Sequence, residues 1–437
     1  LHSVWSHDGS RMAYYAGFTP NEGEKLFVAD RNGSNPVRIF VDGRGGHGHY
    51  PAWSPDGRYI YFVRGEPRDH ADIWRVRSDG RGEAERITRH NSRVSYPALI
   101  DDRTLLYIAA AADGTGFWLY AMDVKRRVTH RASLSVEQYL SVAASGDGRR
   151  LVATVSNPTG QLWTIPITPG MSEETSARRF PLPTVRGVAP RFGPDYILYL
   201  SSRGGEDGLW KLKDGIATEL WKASDGVVAH PPAISPDGKQ ICFSIRKGGR
   251  VALYLMTAEG TSIRPLAESL DTRGAASWSP DGKSILVAAA AQSGSPLYSI
   301  RVDGGPPVQW LEGNIYNPLY SPDARRIVYL ESPQLTRHQV GAVTSQKEPV
   351  PLPRIFVGTQ RDGCRFLPDG KGLVVLLGER RRENFWLLDF ETGRLRQLTN
   401  LQPGYSVSGF DISPDGKEIL FDRVRENSDI VLIDLPR

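Results

Sequence analysis

The chain has little cysteine and no long apolar run, and each shortage excludes a class of protein. Only two cysteines, Cys242 and Cys364, occur in 437 residues, too few for a disulfide framework or a cysteine-based metal site. No apolar run approaches the about 18 residues that a membrane-spanning helix needs, so we expect no membrane insertion. The net charge of +5 is a small excess that allows an anionic partner without requiring nucleic acid.

Common catalytic signatures are missing as well. The sequence contains no G-x-S-x-G nucleophile elbow and no H-E-x-x-H zinc motif, and each of those chemistries depends on that spacing. We therefore expect no catalytic residue, no metal and no cofactor. Because Asp and Glu are plentiful, an alternative stays open: a glycoside hydrolase or lyase, or a peptidase-associated domain, with its site built from a pair of carboxylates.

What the chain has in abundance is one short motif. The segments "WSPDGRYIYF" (53–62), "ISPDGKQICF" (234–243), "WSPDGKSILV" (278–287) and "ISPDGKEILF" (412–421) share it. Its serine, or the residue aligned with it, recurs at intervals of 42 to 48 residues, and we use these positions as markers: Ser6, Ser54, Ile100, Ser145, Gly193, Ser235, Ser279, Ser321, Leu367 and Ser413. A period near 45 without helical periodicity is typical of a propeller.

Each repeat predicts four short strands. In the second repeat, "HYPAWS" and "YIYFVRG" flank the Pro-Asp-Gly turn, and "DIWRVRSDG" and "AERIT" follow. Proline and glycine suit their positions in a type I turn, and the aspartate accepts hydrogen bonds from nearby backbone N–H groups. We interpret the motif as a structural hairpin rather than as a ring of metal-binding carboxylates.

The predicted fold is all-β: a single large β-propeller of about ten four-stranded blades over residues 1–437. Eight or nine blades result if the degenerate repeats merge. The repeats start near residues 1, 49, 95, 140, 188, 230, 274, 316, 362 and 408. The last repeat ends after its third strand, "IVLIDLPR", so we expect its blade to be incomplete or closed by the N-terminal part of the chain.

These turns and third strands resemble the TolB-type, WD-repeat-like β-propeller family, and the resemblance covers essentially the whole chain. The stretches "APRFGPDYILYLSSRGGEDGLWKLKDG" and "FDISPDGKEILFDRVRENSDIVLIDLPR" are similar to the propeller region of large bacterial kinase or winged-helix regulators. The resemblance implies a protein-binding or ligand-sensing module in signal transduction or the cell envelope. It also implies an extracytoplasmic, periplasmic location, with the cytoplasm as alternative, and an upstream kinase or winged-helix domain missing from this chain.

Basic residues precede the first strand in several repeats and are candidates for a binding site. In a propeller these loops rim one mouth of the central channel, where guanidinium groups attract a carboxylate, a phosphate or an acidic protein segment. The alternative is that each arginine is separately solvated or paired with a neighbouring carboxylate. The candidates at this mouth are Arg44, Arg93, Arg186, Arg273 and Arg361, together with Asp362 and Tyr316.

Three histidines complete the candidate set. His47 and His49 lie in "GRGGHGHY", and alternate residues of a strand point the same way, so both imidazoles could meet one ligand. His230 takes the same register position as His49. The segment also contains G-x-G-x-x-G, but a strand follows where a dinucleotide site needs a helix. The predicted function is non-catalytic recognition of a protein partner or a small anionic ligand at one propeller face.

Overall fold

The computed structural model of the chain describes most of its residues. The described residues are 3–19, 23–42, 48–65, 71–90, 93–110, 117–132, 138–156, 159–201, 207–222, 226–247, 250–292, 294–334, 337–358, 363–425 and 428–435. They are almost entirely strands and turns, as the sequence predicts. In this part of the chain, no helix has the length and apolarity needed to cross a membrane.

The chain divides into two compact units. Unit 1 comprises residues 1–157 and 426–437, and unit 2 comprises residues 158–425. The first strands of unit 1 form three four-stranded antiparallel sheets. They are β1 (Ser3–Trp5), β2 (Arg11–Thr19), β3 (Gly23–Asp30), β4 (Val37–Val41); β5 (Gly48–Trp53), β6 (Tyr59–Gly65), β7 (Ala71–Arg77), β8 (Glu85–Arg86); and β9 (Val94–Leu99), β10 (Thr104–Ala110), β11 (Phe117–Asp123), β12 (Val128–Arg131).

The next strands begin a fourth sheet and lead into unit 2. These are β13 (Gln138–Ala144), β14 (Arg150–Ser156), β15 (Thr159–Pro166), β16 (Ser172–Glu173) and β17 (Arg178–Arg179), with a short 3-10 helix at Glu174–Ser176. Three four-stranded sheets follow. They are β18 (Val188–Phe192), β19 (Ile197–Ser201), β20 (Gly208–Lys213), β21 (Ile216–Trp221); β22 (Val227–Ile234), β23 (Gln240–Lys247), β24 (Arg250–Thr257), β25 (Arg264–Leu266); and β26 (Thr272–Trp278), β27 (Ser284–Ala289), β28 (Leu297–Arg301), β29 (Val308–Leu311).

The remaining strands complete unit 2 and return the chain to unit 1. They are β30 (Ile315–Tyr320), β31 (Arg326–Gln334), β32 (Arg337–Thr344), β33 (Phe356–Gly358); β34 (Cys364–Phe366), β35 (Gly372–Leu377), β36 (Asn384–Asp389), β37 (Leu395–Gln397); β38 (Thr399–Asn400), β39 (Phe410–Ile412), β40 (Glu418–Arg425); and β41 (Ser428–Asp434).

The repeated Ser-Pro-Asp-Gly motif forms a self-contained hairpin turn. The Ser54 hydroxyl donates to Asp56 Oδ1 at 2.6 Å, and Asp56 accepts the backbone N–H of Arg58 at 3.0 Å. Gly57 takes a positive φ of 67°, which a residue without Cβ adopts freely. The same serine–aspartate hydrogen bond occurs in six further turns: Ser6–Asp8, Ser145–Asp147, Ser235–Asp237, Ser279–Asp281, Ser321–Asp323 and Ser413–Asp415. The structural interpretation of the motif is confirmed.

Two third strands have exchanged places between repeats. The spacing predicts that β15 continues the hairpin of β13 and β14, and that β41 follows β39 and β40. Instead, β15 pairs along its length with β40, and β41 pairs with β14 from Ser428 to Asp434. The sheet of the last repeat is completed by β15 and β17, in the order β17-β15-β40-β39. This corrects the expectation that the last blade is incomplete or closed by the N-terminal residues.

The exchange explains why the chain forms two units where the repeat spacing predicts one domain over 1–437. Both β15 and β41 are short strands with several apolar side chains, and the repeat spacing does not specify which of them joins which hairpin. The all-β propeller fold is confirmed, whereas the number of blades and the single domain stay predictions.

Unit 2 is a closed ring of six sheets among the described residues. Consecutive sheets contact each other from β18–β21 to β34–β37, β34 contacts β39, and β18 contacts both β39 and β40. Closure buries both faces of the second strands: β19 and β35 consist almost wholly of buried residues. Apolar clusters fill the spaces between neighbouring sheets, as in a stacked array in which each sheet buries its faces against its neighbours.

Unit 1 is a succession of four sheets. β1 contacts β5, β5 contacts β9, and β9 contacts β13. Three apolar clusters lie between these sheets, centred on Phe62, Tyr107 and Ala153. The last sheet has three strands, in the order β13-β14-β41.

The irregular segment 168–179 belongs to unit 2. Its strand β16 pairs in parallel with β38, and Glu174 forms a bidentate ion pair with Arg423, with both N–O distances at 2.7 Å. Arg423 also stacks over Trp163. These contacts hold the segment against the ring of unit 2.

Candidate functional site

One register position of the repeat lines the centre of unit 2. The residue two positions before each turn marker ends or nearly ends the first strand of its sheet. In unit 2 these residues are Arg191, Ala233, Ser277, Leu319, Arg365 and Asp411, and all six line a single open cavity of about 400 Å³. The ring thus places one side chain from each sheet around a common space, whose chemistry depends on which residues take this position.

Arg191 is almost fully buried at the wall of this cavity, with 6% of its surface exposed. Its Nε donates to the carbonyl oxygen of Pro232 at 3.1 Å, and its Nη1 donates to the carbonyl oxygens of Pro190 and Phe410. Because the acceptors belong to three sheets of the ring, the guanidinium is fixed in position by the closure of unit 2.

Arg365 is the second buried guanidinium, with 8% of its surface exposed. Its Nη1 donates to the Cys364 carbonyl at 2.7 Å, and its Nε lies 3.5 Å from Asp411 Oδ1. Asp411 in turn accepts the backbone N–H groups of Phe192 and Ile412 at 2.9 and 3.0 Å. The carboxylate is therefore shared between Arg365 and two backbone donors.

The cavity wall brings two like charges close together. Among the described lining residues, Arg191 and Arg365 supply two positive charges and Asp411 the single negative charge. Burial, and then the nearby charge of Arg365, lowers the pKa of Arg191 well below its usual value, against the opposing effects of Asp411 and Asp422. Burial also lowers the pKa of Arg365, against the opposing effect of Asp411. Because guanidinium stays protonated in proteins, both shifts reflect the cost of burying two cations close together.

Much of the rest of the cavity lining is apolar or aromatic. Trp278, Tyr320 and Phe192 contribute rings, and Pro232 and Pro318 contribute rigid apolar surface. The indole N–H of Trp278 donates to the Ala233 carbonyl at 3.1 Å, which fixes the ring. A pocket with a few fixed polar groups in an apolar wall has the general character of a ligand site.

A buried carboxylate lies behind this site. Asp422 accepts the backbone N–H groups of Ala189, Ser408 and Gly409 at 2.6 to 3.0 Å. Burial raises the pKa of its side chain to about 6. Asp422 ties β18 to the segment before β39, and so positions Arg191 and Asp411 relative to each other.

The predicted site residues of unit 2 lie elsewhere and are already engaged. Arg186 pairs with the buried Asp207 at 3.1 Å, and Arg273 pairs with Asp271 at 3.0 Å. His230 Nε2 accepts the backbone N–H of Gly274 at 3.1 Å, and Tyr316 packs against His338 with ring centroids 5.0 Å apart. The two arginines follow the alternative in which each is paired with a carboxylate.

The other predicted residues belong to unit 1 or lie outside the described residues. His49 lies on β5, with its ring 5.9 Å from that of Tyr50. Arg93 precedes β9 and stacks over Phe117 at 5.0 Å. Four candidates fall outside the described residues: Arg44, His47, Arg361 and Asp362. The binding role of all these residues stays a prediction.

Sequence reasoning missed Arg191, Arg365 and Asp411, although a signal was present. Across all ten repeats, the position two before the marker holds Val4, Ala52, Ala98 and Ala143 in unit 1, and the six cavity residues in unit 2. The only charged residues at this position are therefore the three that form the site. An alignment of the ten repeats reveals these three residues, whereas the basic residues in the loops before the first strands do not point to them.

Metal ligands are not grouped in the described part of the chain. No set of three or more His, Cys, Asp and Glu side chains lies close enough together there to hold a metal ion. Cys242 and Cys364 are both buried free thiols, and burial raises the pKa of Cys242 above its usual value. A buried protonated thiol is a poor metal ligand and a poor nucleophile.

Comparison with known proteins places the fold. Residues 188–351, within unit 2, match the family model for the TolB beta propeller domain. This stretch runs from β18 to the segment after β32 and contains four of the six central cavity positions. The resemblance to TolB-type propellers predicted from the repeats is confirmed.

Similar sequences occur in proteins of different kinds. The chain is 30% identical over 156 residues to the uncharacterized protein Atu1656 of Agrobacterium fabrum, a match that covers 33% of this chain and 50% of that protein. It is 27% identical over 147 residues to dipeptidyl-peptidase 5 of Porphyromonas gingivalis, covering 30% of this chain and 21% of that protein. The chain thus spans half or less of the length of these relatives.

Among solved structures, the putative TolB from Agrobacterium tumefaciens is similar to this chain. It shows 23% sequence identity and a TM-score of 0.46, covering 62% of this chain and 99% of that one. The TolB from Acinetobacter baumannii covers 95% of this chain and 65% of that one, with 14% identity and a TM-score of 0.31.

Proposed function

We propose that this propeller chain is a non-catalytic recognition module whose unit 2 binds an anionic group in its central cavity. The observation that carries the proposal is the pair of buried guanidinium groups, Arg191 and Arg365, that line one cavity whose described lining contains one carboxylate, Asp411. The anion is a carboxylate or phosphate, carried by an acidic protein segment or by a small molecule.

The fixed positions of the two guanidinium groups favour an anionic ligand. Both guanidiniums are held by backbone carbonyls, so little side-chain entropy is lost when they bind. Burial lowers the pKa of each, and a bound anion would add to the favourable charge interaction that Asp411 already makes with both. The aromatic and proline wall would then contact the apolar part of the ligand.

A catalytic role has less support. A glycoside hydrolase needs two carboxylates facing each other across the scissile bond, and Asp411 is the one carboxylate among the described cavity residues. Asp411 also accepts two backbone N–H groups and pairs with Arg365, so both of its oxygens are already engaged. The sensing role and the extracytoplasmic location stay predictions from the resemblance.

The test is a calorimetric titration of the purified chain with two probes, a hexaglutamate peptide and inorganic phosphate. We expect saturable binding of at least one probe that weakens about 10- to 100-fold in Arg365→Met, because a hydrogen bond to a charged group contributes about 1.5–3 kcal/mol. Asp411→Asn should act in the opposite direction, because it removes the competing negative charge. Arg301→Met, which removes an exposed arginine of unit 2 outside the cavity, is the matched control and should leave the affinity unchanged.

Two outcomes would overturn the proposal. The first is that neither probe binds, or that Arg365→Met binds as tightly as the natural chain while its circular dichroism shows a native fold. The second is hydrolysis of a peptide or glycoside substrate that Asp411→Asn abolishes, which would assign the cavity to an enzyme.

A further inference from the structure

The two end sheets of unit 1 expose apolar faces that inner sheets bury. In the inner sheets, β6 and β10 bury residues on both sides of the strand. The end sheets differ, because β14 buries Leu151 and Ala153 but exposes Val152. Each end of unit 1 therefore presents the kind of surface that packs against another sheet in the rest of the molecule.

The leading face lies on the β1–β4 sheet and comprises Trp5, Met12, Tyr14 and Phe27. Trp5 pairs with Met12, and Tyr14 pairs with Phe27, so all four side chains lie on the side opposite to the cluster that contains Ala13, Tyr15 and Leu26. Tyr14 and Phe27 stack with centroids 5.6 Å apart, and Trp5 is 50% exposed.

The trailing face lies on the β13-β14-β41 sheet and comprises Leu140, Ala143, Val152, Ile430 and Leu432. Val152 pairs directly with Leu432, and Ile430 and Leu432 are 79% and 61% exposed. On the other side of this sheet, Val431 and Ile433 pack against the cluster shared with β10 and β11. Exposed large aliphatic side chains adjacent on one sheet face indicate an interaction surface.

The repeat itself shows how the two faces fit together. Where tryptophan precedes a turn marker, its indole N–H donates to the preceding sheet: Trp53 to the Val4 carbonyl and Trp278 to the Ala233 carbonyl, both at 3.1 Å. Both acceptors lie two positions before the marker of their own sheet. Trp5 is the equivalent tryptophan of the leading face, and Ala143 is the equivalent acceptor residue of the trailing face.

We propose that the leading face of one copy of this chain packs on the trailing face of a second copy, so that two copies of unit 1 form a two-fold ring of eight sheets. The two faces are different and complementary, and a contact between unlike faces must close into a ring to end. Two sets of four sheets give eight, which lies within the range of about four to eight blades that propellers typically adopt. This inference concerns unit 1 and is independent of the anion site in unit 2.

Sedimentation equilibrium of the purified chain at micromolar concentration tests the proposal. We expect a mass twice the 48.4 kDa of one chain. Trp5→Lys on the leading face and Leu432→Lys on the trailing face should each give a monomer. Ile216→Lys changes a similarly exposed residue outside both faces and should stay a dimer.

Mixing the two face variants distinguishes the proposed contact from general loss of structure. Trp5→Lys retains an intact trailing face and Leu432→Lys an intact leading face, so an equimolar mixture should regain association through one intact contact. A natural chain that is monomeric, a dimer that neither lysine variant weakens, or variants that do not associate when mixed would each overturn the proposal.

Discussion

Unit 1 and unit 2 are built from the same repeat, but they use one register position differently. Two positions before the turn marker, unit 1 holds a valine and three alanines, whereas unit 2 holds Arg191, Arg365 and Asp411 among its six residues. Unit 2 closes on itself and concentrates charge at its centre. Unit 1 exposes apolar faces at both ends of its four sheets. The same turn and strand pattern thus carries a charged cavity in one unit and exposed apolar side chains at the ends of the other.

The largest expected effect concerns the tryptophan that directly precedes the marker serine in each unit. It tests whether the end sheet of unit 1 is less well packed than the closed ring of unit 2. Trp278 of unit 2 is 7% exposed, whereas Trp5 of unit 1 is 50% exposed. Replacing Trp278 by alanine should lower the free energy of unfolding by about 3–5 kcal/mol, the usual cost of truncating a buried tryptophan. Trp5→Ala should cost less than about 1 kcal/mol in the monomeric chain.

Urea unfolding of both variants at low protein concentration, monitored by circular dichroism, measures the two costs. Equal losses of stability would mean that the leading face of unit 1 is as well packed as the interior of unit 2, and the comparison would fail.

Histidine burial in unit 2 predicts an acid-sensitive contribution to stability. Burial, and then the charges of Arg246 and Arg273, lower the pKa of His230 to about 4. The unfolded chain binds a proton at its ordinary pKa of about 6.5, so stability falls as the pH is lowered from about 6.5 toward 4. The loss at pH 4 is about 3 kcal/mol, at about 1.4 kcal/mol for each unit of pKa difference.

The His230→Gln variant isolates this contribution, because glutamine retains an acceptor for the Gly274 N–H but does not titrate. Urea unfolding at pH 7 and pH 4 should show a smaller acid loss in the variant than in the natural chain. Asp422 acts in the opposite direction, since its raised pKa removes stability as the pH rises, and it is the same in both proteins. An identical acid loss in the two would contradict the buried neutral state of His230.

The smallest expected effect on stability concerns the fourth residue of the repeated turn. Two neighbouring turns of unit 2 form a matched pair, because one has glycine and the other alanine at this position. Gly282 has a φ of 70° with ordinary space around its Cα, and Ala324 holds a φ of 58° at the same position of the next turn. A residue with Cβ is strained in this region by roughly 1 kcal/mol. Gly282→Ala should therefore destabilise the chain by about that amount, and Ala324→Gly should stabilise it slightly. Thermal unfolding of both variants should shift the midpoint in opposite directions, and shifts of the same sign would refute the assignment.

The sequence predicts local structure well because the turn chemistry is local. Serine, proline, aspartate and glycine satisfy the hydrogen bonds of the hairpin among themselves, so the motif identifies every repeat that contains it. The charged cavity of unit 2 was not predicted. The arginines that precede the first strands are the more conspicuous basic residues of the repeats, but Arg186 and Arg273 are paired with Asp207 and Asp271. The three charged residues that line the cavity stand out only when the repeats are aligned.

The sequence does not predict which strand pairs with β14 and which pairs with β40, and there is a physical reason for this. β15 and β41 are strands of eight and seven residues that each carry several apolar side chains, and the repeat pattern does not specify which of them lies beside β14 or β40. Which pairing forms depends on ring closure, a property of many distant contacts rather than of the strands themselves.

Disulfide trapping tests the exchanged strands most directly. Cysteine replaces Thr154 on β14 in two variants, together with either Ile430 on β41 or Gln161 on β15. Thr154 and Ile430 are direct cross-strand partners, within the Cα separation that a disulfide requires. Gln161 would face Thr154 if β14 and β15 formed the simple hairpin of the repeat. After mild oxidation and peptide mapping, we expect the 154–430 cross-link and not the 154–161 cross-link. A 154–161 disulfide formed in place of the 154–430 disulfide would show that the strands are not exchanged and would contradict the division into two units.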